Sequence, residues 1–180
     1  MTNNLKIRYA TVDDAQKLLE IYAYYVEKTA VSFELKVPSL ANFRARISKT
    51  LKKFPYLVAE IENKIVGYAY AHEFVGRDAY KFSAELTIYL DKNFRGQGIG
   101  KRLYVELEEI LKSQGILNLY ACVGWIDEED NFLNHDSPNF HSHLGFKTVG
   151  KFSKCGYKFN RWYDMIWMEK IIGKHRKVRS

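Results

Sequence analysis

Arg95-Gly96-Gln97-Gly98-Ile99-Gly100 sits between two periodic segments of opposite kind. Before it, Ala84 to Leu90 alternates, with Glu85, Thr87 and Tyr89 on one face and Leu86, Ile88 and Leu90 on the other, the pattern of a strand. After it, Ile99, Leu103, Leu107, Ile110 and Leu111 recur three or four apart, the pattern of a helix with one buried face. Gly115 is a natural stop for that helix. A glycine-rich turn there bends sharply and gathers backbone N–H groups where the helix dipole is positive. Arg95, Lys101 and Arg102 add charge, so a pyrophosphate fits the turn. Two common nucleotide motifs do not. The glycines alternate at 96, 98 and 100 instead of following G-x-G-x-x-G, and Gly100-Lys101 is followed by Arg102 where a Walker loop needs Ser or Thr.

Working outward, Leu5 to Ala10 reads as a strand, and Thr11 opens a helix reaching Lys28. Ser39 can cap a second helix whose apolar positions are Leu40, Phe43, Ile47 and Leu51. Tyr56 to Ile61 and Ile65 to His72 form a hairpin signal around Glu62-Asn63-Lys64. Leu117 to Val123 is a further strand. Trp125 to Pro138 is long, polar and acidic. Phe140 to Leu144 reads as a short helix, Phe146 to Val149 as the start of a strand and Tyr163 to Met168 as the last strand. The order is α/β with mixed α+β character: a central mixed twisted sheet flanked by helices. It is not an evenly alternating Rossmann half. With no linker or repeat, residues 1–172 are expected to form a single domain, and 173–180 a basic tail.

The 180 residues suit one well-filled domain, and 47% hydrophobic with 27% charged residues excludes a disordered chain. The net charge of +7 favours acidic ligands. No basic recognition helix is visible, so no nucleic-acid partner is expected. No segment has the apolar length of a membrane span. Cys122 and Cys155 have no ligand spacing. His135, His141 and His143 beside Asp136 fix no tetrahedral site, so no metal is expected. Cytoplasmic location is the simplest fit.

The Arg95, Gly98 and Gly100 spacing resembles the coenzyme A loop of the GNAT acetyltransferases. Asn134, Ser137, Phe140, His141, Leu144, Gly145 and Phe146 resemble that family's second cofactor motif. From Ile7 to about Lys170 the chain is similar to the phosphinothricin acetyltransferase branch: Ile21-Tyr22, Val26, Thr29 and Ser32-Phe33-Glu34, then Arg77-Asp78-Ala79-Tyr80, Ala84-Glu85 and Thr87-Ile88-Tyr89, then Trp162 and Asp164. The resemblance implies a GNAT-like acyl-CoA N-acyltransferase fold with acetyl-CoA as co-substrate. It puts the cofactor along Leu86, Thr87, Ile88, Tyr89 and Leu90, on the turn Arg95, Gly96, Gln97, Gly98, Ile99, Gly100 and Lys101, and against Asn134, Ser137, Phe140 and His141. It also implies a small amino-acid-like amine as acceptor and a homodimer. Two stretches depart from the branch: Trp125 to Leu133 is longer and more acidic, and Phe159-Asn160-Arg161 with Tyr163 replaces residues near the closing Trp.

Transfer of acetyl from a thioester to an amine needs a base, close positioning, oxyanion stabilisation and a leaving thiolate. Glu85, on the strand entering the turn, is the first choice as general base, with Glu34 second. His141 stands where many relatives carry a Tyr near the departing sulfur. An imidazole titrating at about 6.5 can donate a hydrogen bond there. Backbone N–H groups of Leu86 to Leu90, opened by a bulge, are expected to serve the oxyanion. Arg77 is the candidate for the acceptor's anion, and Tyr80, Phe33 and Trp162 are candidate walls. Two alternatives are an acyl-CoA sensor without turnover and a peptide or protein N-acetyltransferase, the latter drawing on the acidic Asp127 to Asp130.

Overall fold

The computed structural model describes residues 4–177; the last three residues of the basic tail lie outside them. The order is β1 (Lys6–Tyr9), α1 (Ala15–Lys28), α2 (Leu40–Leu51), β2 (Tyr56–Ile61), β3 (Lys64–Glu73), β4 (Ser83–Leu90), α3 (Ile99–Ser113), β5 (Asn118–Trp125), α4 (Asp136–His143), β6 (Lys147–Lys158) and β7 (Arg161–Ile171). All seven strands join one sheet in the order β1-β2-β3-β4-β5-β7-β6. Only β4 and β5 run parallel; the other neighbours are antiparallel. Among the described residues no helix is long and apolar enough to cross a membrane.

Period-two alternation divides the core between the two faces. Leu57, Ala59, Ala69, Ala71, Ala84 and Leu86 face α3 and pack on Leu103, Leu107 and Leu111. Tyr56, Val58 and Tyr68 face the other way, against Leu18, Tyr22 and Val26 of α1 and Phe43 and Ile47 of α2. Ser39 caps α2 as its sequence predicts, accepting from the Asn42 amide at 3.2 Å.

Three elements differ from their sequence pattern. A 3-10 turn, Val12–Asp14, precedes α1. Helix α4 begins at Asp136, four residues before the apolar signal at Phe140, because its first turn, Asp136-Ser137-Pro138-Asn139, carries no apolar periodicity. Strand β6 runs on to Lys158, and most of it is exposed, so no buried face imposes alternation. Its register against β7 also shifts, between Thr148 and Gly150 and between Phe152 and Gly156, which breaks the period further.

Leu103 is fully buried and Val105, two residues on, is 46% exposed. In chemical denaturation, Leu103→Ala should cost about 2–5 kcal/mol and Val105→Ala less than about 0.5 kcal/mol. Equal losses would contradict this placement of α3.

Candidate active site

β4 and β5 pair through only three positions, Ser83–Asn118, Ala84–Leu119 and Glu85–Tyr120. Both strands then continue without each other. β4 stays on β3 as far as the Leu90–Gly67 pair, and β5 stays on β7 as far as Trp125–Asp164. The sheet therefore opens into a wedge with Glu85 at its vertex. The β3–β4 register is unbroken, so no bulge frees the backbone of Leu86 to Leu90; the parting of the strands does.

Parity shows which groups are free. The Asp91 amide donates to Val66 O at 2.8 Å, so residue 91 faces β3. Leu90 faces the wedge, where the Tyr25 hydroxyl donates to its carbonyl at 2.6 Å and accepts from its amide at 3.2 Å. By the two-residue repeat, the N–H and C=O of Ile88 and the C=O of Leu86 also point into the wedge, while the Leu86 N–H closes the Glu85–Tyr120 bridge. An extended amide-bearing chain laid there finds a strand edge to pair with.

The glycine turn supplies a second set of free backbone groups beside the wedge. Gly96 and Gly98 have φ of 73° and 78°, and no atom lies within 4 Å of a β-carbon built on either. Glycine is required there by backbone conformation, not by space. Gly100 differs: a β-carbon would sit 3.0 Å from the Phe140 ring and 3.3 Å from Ile88, so this glycine lets α3 approach α4 and β4. Among the described residues, the amides from Gly96 to Lys101 donate to no acceptor in the chain, whereas Arg102 N–H already bonds Gly98 O at 3.2 Å. Unpaired amides at a helix N-terminus form an anion site, which fits a pyrophosphate. The Arg95 guanidinium lies over the Tyr25 ring at 5.1 Å. Ile88, Leu90, Arg95, Gly96, Asn134, Ser137 and Phe140 line one cleft of about 450 Å³. Ile99 is fully buried and Gln97 turns back to Asn93 O, so these two bring their amides and not their side chains. Thr87 and Tyr89 face the opposite side of the sheet.

A central cleft of about 400 Å³ follows through the wedge and brings together Phe33, Glu34, Glu85, Tyr104, Cys122 and His141. It shares Val31, Ile88 and Ser137 with the cofactor cleft. It shares Glu34 and Tyr89 with a cleft of about 550 Å³ on the α2 side. The site is thus open on both faces of the sheet.

Glu85 keeps 17% of its side-chain surface exposed, and burial pushes its pKa above the ordinary carboxylate range. His72, its cross-strand partner, brings Nε2 to 3.7 Å and pulls the other way. Sequence reading missed His72; the only signal was its place in the hairpin opposite Glu85. Glu34 reaches the cleft with its carboxylate bound to Arg46 of α2, so it clamps a loop to a helix.

His141 is 3% exposed with both nitrogens engaged. The Ser137 carbonyl, 2.8 Å from Nδ1, can only accept, so Nδ1 carries the proton and Nε2 accepts from the Tyr104 hydroxyl at 3.0 Å. Burial lowers its pKa and keeps the ring neutral. His141 therefore has no spare donor for a sulfur; it orients Tyr104, a second residue missed because α3 spacing alone reads as core.

Three expected acceptor residues lie elsewhere. Arg77 and Tyr80 line a further cleft of about 370 Å³, which shares Lys53, Phe54, Glu73 and Gly76 with the α2-side cleft, and Tyr80 stands edge-on to Phe74. Trp162 is 56% exposed and packs on Tyr157, outside every cleft described above. The acidic segment is largely engaged within the chain. Asp127 pairs with Lys151, and Glu129 accepts from the His135 amide. Asp130 accepts from the Phe132 and Leu133 amides, the Tyr163 hydroxyl and Arg161.

A wedge in the sheet beside an amide-lined turn suits an extended, pyrophosphate-bearing ligand, the form of an acyl-CoA. Residues 7–167 match the family model described as Acetyltransferase (GNAT) domain, and the chain belongs to that family of acetyltransferases, with acetyl-CoA as co-substrate. It is 34% identical over 167 residues to the phosphinothricin N-acetyltransferase of Alcaligenes faecalis, covering 92% of this chain and 82% of that one. A GNAT superfamily phosphinothricin acetyltransferase from Sinorhizobium meliloti, solved in complex with AcCoA, is 32% identical with a TM-score of 0.86 over 96% of this chain and 90% of that one. A ribosomal-protein-alanine N-acetyltransferase structure from Brucella melitensis is 34% identical with a TM-score of 0.85 over 93% of this chain and 99% of that one.

The neutral His141 has a stability consequence. Its folded pKa lies below its unfolded value, so its contribution is intact above about pH 6.5 and is lost as pH falls through that range towards the folded pKa. Thermal melts across that range should show the gap between wild type and His141→Gln narrowing on acidification. A constant gap would contradict a neutral buried ring.

Proposed function

We propose that this acetyltransferase moves acetyl from acetyl-CoA to the primary amine of a small amino-acid-like acceptor by direct attack, with Glu85 as general base. Support comes above all from Glu85 itself: a largely buried carboxylate of raised pKa, where the wedge begins, between a cofactor cleft on one face and an open cleft on the other. Bound acetyl-CoA supplies the thioester carbon that the amine attacks. The Ile88 and Leu86 backbone and the Gly96 to Lys101 amides orient it, and Glu85 takes the amine's proton directly or through a water. Cys122 argues for direct transfer. It is the thiol lining the central cleft; although its residue is exposed there, desolvation by the cleft walls and the nearby Glu85 push its pKa up. It stays protonated and makes a poor nucleophile for an acetyl-enzyme. Phosphinothricin, methionine sulfoximine and related amino acids are the acceptors to try first, in line with the named phosphinothricin-acetylating relatives.

The resemblance to a ribosomal-protein-alanine acetyltransferase keeps peptide acceptors as a second reading. The acidic segment gives that reading little help, since Asp127, Glu129 and Asp130 are already paired. A sensor without turnover would have no use for the raised pKa of Glu85. A homodimer is supported by Phe152, Tyr157 and Trp162, each more than half exposed on β6 and β7. Light scattering should give about twice 21.1 kDa for wild type, and a lower mass for Trp162→Glu. A monomeric wild type would refute the dimer.

Thiol release from acetyl-CoA with a panel of amino acids, polyamines and peptides tests the assignment. Glu85→Gln should lower kcat by about 100- to 1,000-fold with CoA affinity unchanged. Wild-type kcat/KM should rise with pH through the raised Glu85 pKa, and the variant should lack that limb. Unchanged kcat in the variant would remove Glu85 as the base. Tight CoA binding without any turnover would favour the sensor.

A further inference from the structure

The α2-side cleft holds a set of polar groups that the acetyl-transfer step does not use. Arg46 and Lys49 of α2, and Lys53 just beyond its end, stand at the cleft rim. Arg46 is paired with Glu34 and Lys53 with Glu73. Among the described residues Lys49 has no carboxylate within ion-pair reach, so the rim carries one uncompensated positive charge. Below it lie the parallel rings of Tyr56 and Tyr70, 4.6 Å apart, with Tyr68 beside them.

Tyr56 and Tyr68 are 3% and 1% exposed. Neither hydroxyl bonds to a group of the chain, yet no fully buried side-chain polar atom among the described residues lacks a partner. The sliver of surface each tyrosine keeps is therefore its hydroxyl, presented to the cleft. Burial holds both phenols well above their ordinary pKa, so both remain O–H donors. Two donors on a floor of tyrosine rings, under an ammonium that makes no ion pair among the described residues, are a composition suited to an anion, the two carboxylates of the cleft being taken by Arg46 and Lys53. The volume, about 550 Å³ in addition to the central cleft, exceeds what a lone amino acid fills.

We infer that Lys49, Tyr56 and Tyr68 form a subsite for an anionic group carried at the far end of the acceptor, so that the enzyme selects amines with a distal carboxylate or similar anion, up to dipeptide length. This rests on the proposed acetyl transfer at Glu85, with the acceptor reaching it through the α2-side cleft. It places anion recognition on α2 and the sheet, beside the adjoining cleft that holds Arg77.

Isosteric pairs test it: glutamate against glutamine, and Ala-Glu against Ala-Gln. Each is assayed for thiol release with acetyl-CoA, and separately titrated by calorimetry into the CoA-bound protein. The acid should be preferred in at least one pair by about five-fold, the scale of an exposed charge contact. That ratio should fall to unity in Lys49→Ala and invert in Lys49→Glu. Tyr68→Phe should lower it without inverting it. Equal use of acid and amide in both pairs, or a ratio that Lys49→Glu leaves unchanged, would overturn the subsite. The two readouts separate the claims. Acid-selective binding without thiol release would sustain the subsite and defeat the acetyl-transfer reading. Turnover of methionine sulfoximine without acid selectivity in calorimetry would do the reverse.

Discussion

The parting of β4 and β5 after Glu85 is the constraint on which the site depends. A parallel pair held to Leu90 would leave no backbone donor or acceptor free between the two strands and no path from one face of the sheet to the other. Because pairing stops at Glu85–Tyr120, the Leu86 carbonyl and the Ile88 N–H and C=O become an unpartnered edge inside the molecule. Buried unpaired backbone groups are costly, and the wedge limits that cost in two ways. Tyr25 satisfies Leu90 at the outer end, and the clefts leave the inner groups open to solvent or a ligand.

The acceptor side of the wedge is held by contacts from distant parts of the chain. The loop after α1 is fixed by Ala30 N–H to Phe132 O at 2.9 Å, by Tyr22 to Ser32 at 2.8 Å, and by the buried Lys158 ammonium on Ser32 O at 2.6 Å. Phe132 belongs to the long acidic stretch, whose Asp130 joins it to Tyr163 and Arg161 of β7. The stretch that departs from the resembled branch thus braces the loop carrying Phe33 and Glu34. Of its four acidic residues only Asp130 turns inward; Asp127, Glu128 and Glu129 stay exposed.

Local periodicity made the sheet and helices readable: the alternation of Ala84 to Leu90, the three-four spacing after Gly98 and the Ser39 cap all form as their patterns require. The glycine turn was legible as an anion site, but its three glycines were not separable by sequence. Two serve conformation and one serves contact with Phe140. Groups that act through long-range contact were invisible. Tyr25 reads as one more aromatic of α1, Tyr104 as core of α3, and His72 as the end of a hairpin; only strand register and helix packing bring them to Leu90, His141 and Glu85. Exposed elements failed for the opposite reason. Nothing buried disciplines β6, and Arg77 and Trp162 matched a pattern of residues while the fold carries them away from the central cleft.

The most direct test of the wedge is amide hydrogen exchange, resolved by residue, with and without CoA. The amides of Ile88, Gly98, Ile99 and Gly100 have no partner assigned within the chain and should exchange rapidly in the free protein, then become protected on CoA binding. The Leu90 amide, already held by Tyr25, should change little. Protection confined to other strands, with Ile88 and the turn unaffected, would contradict the account.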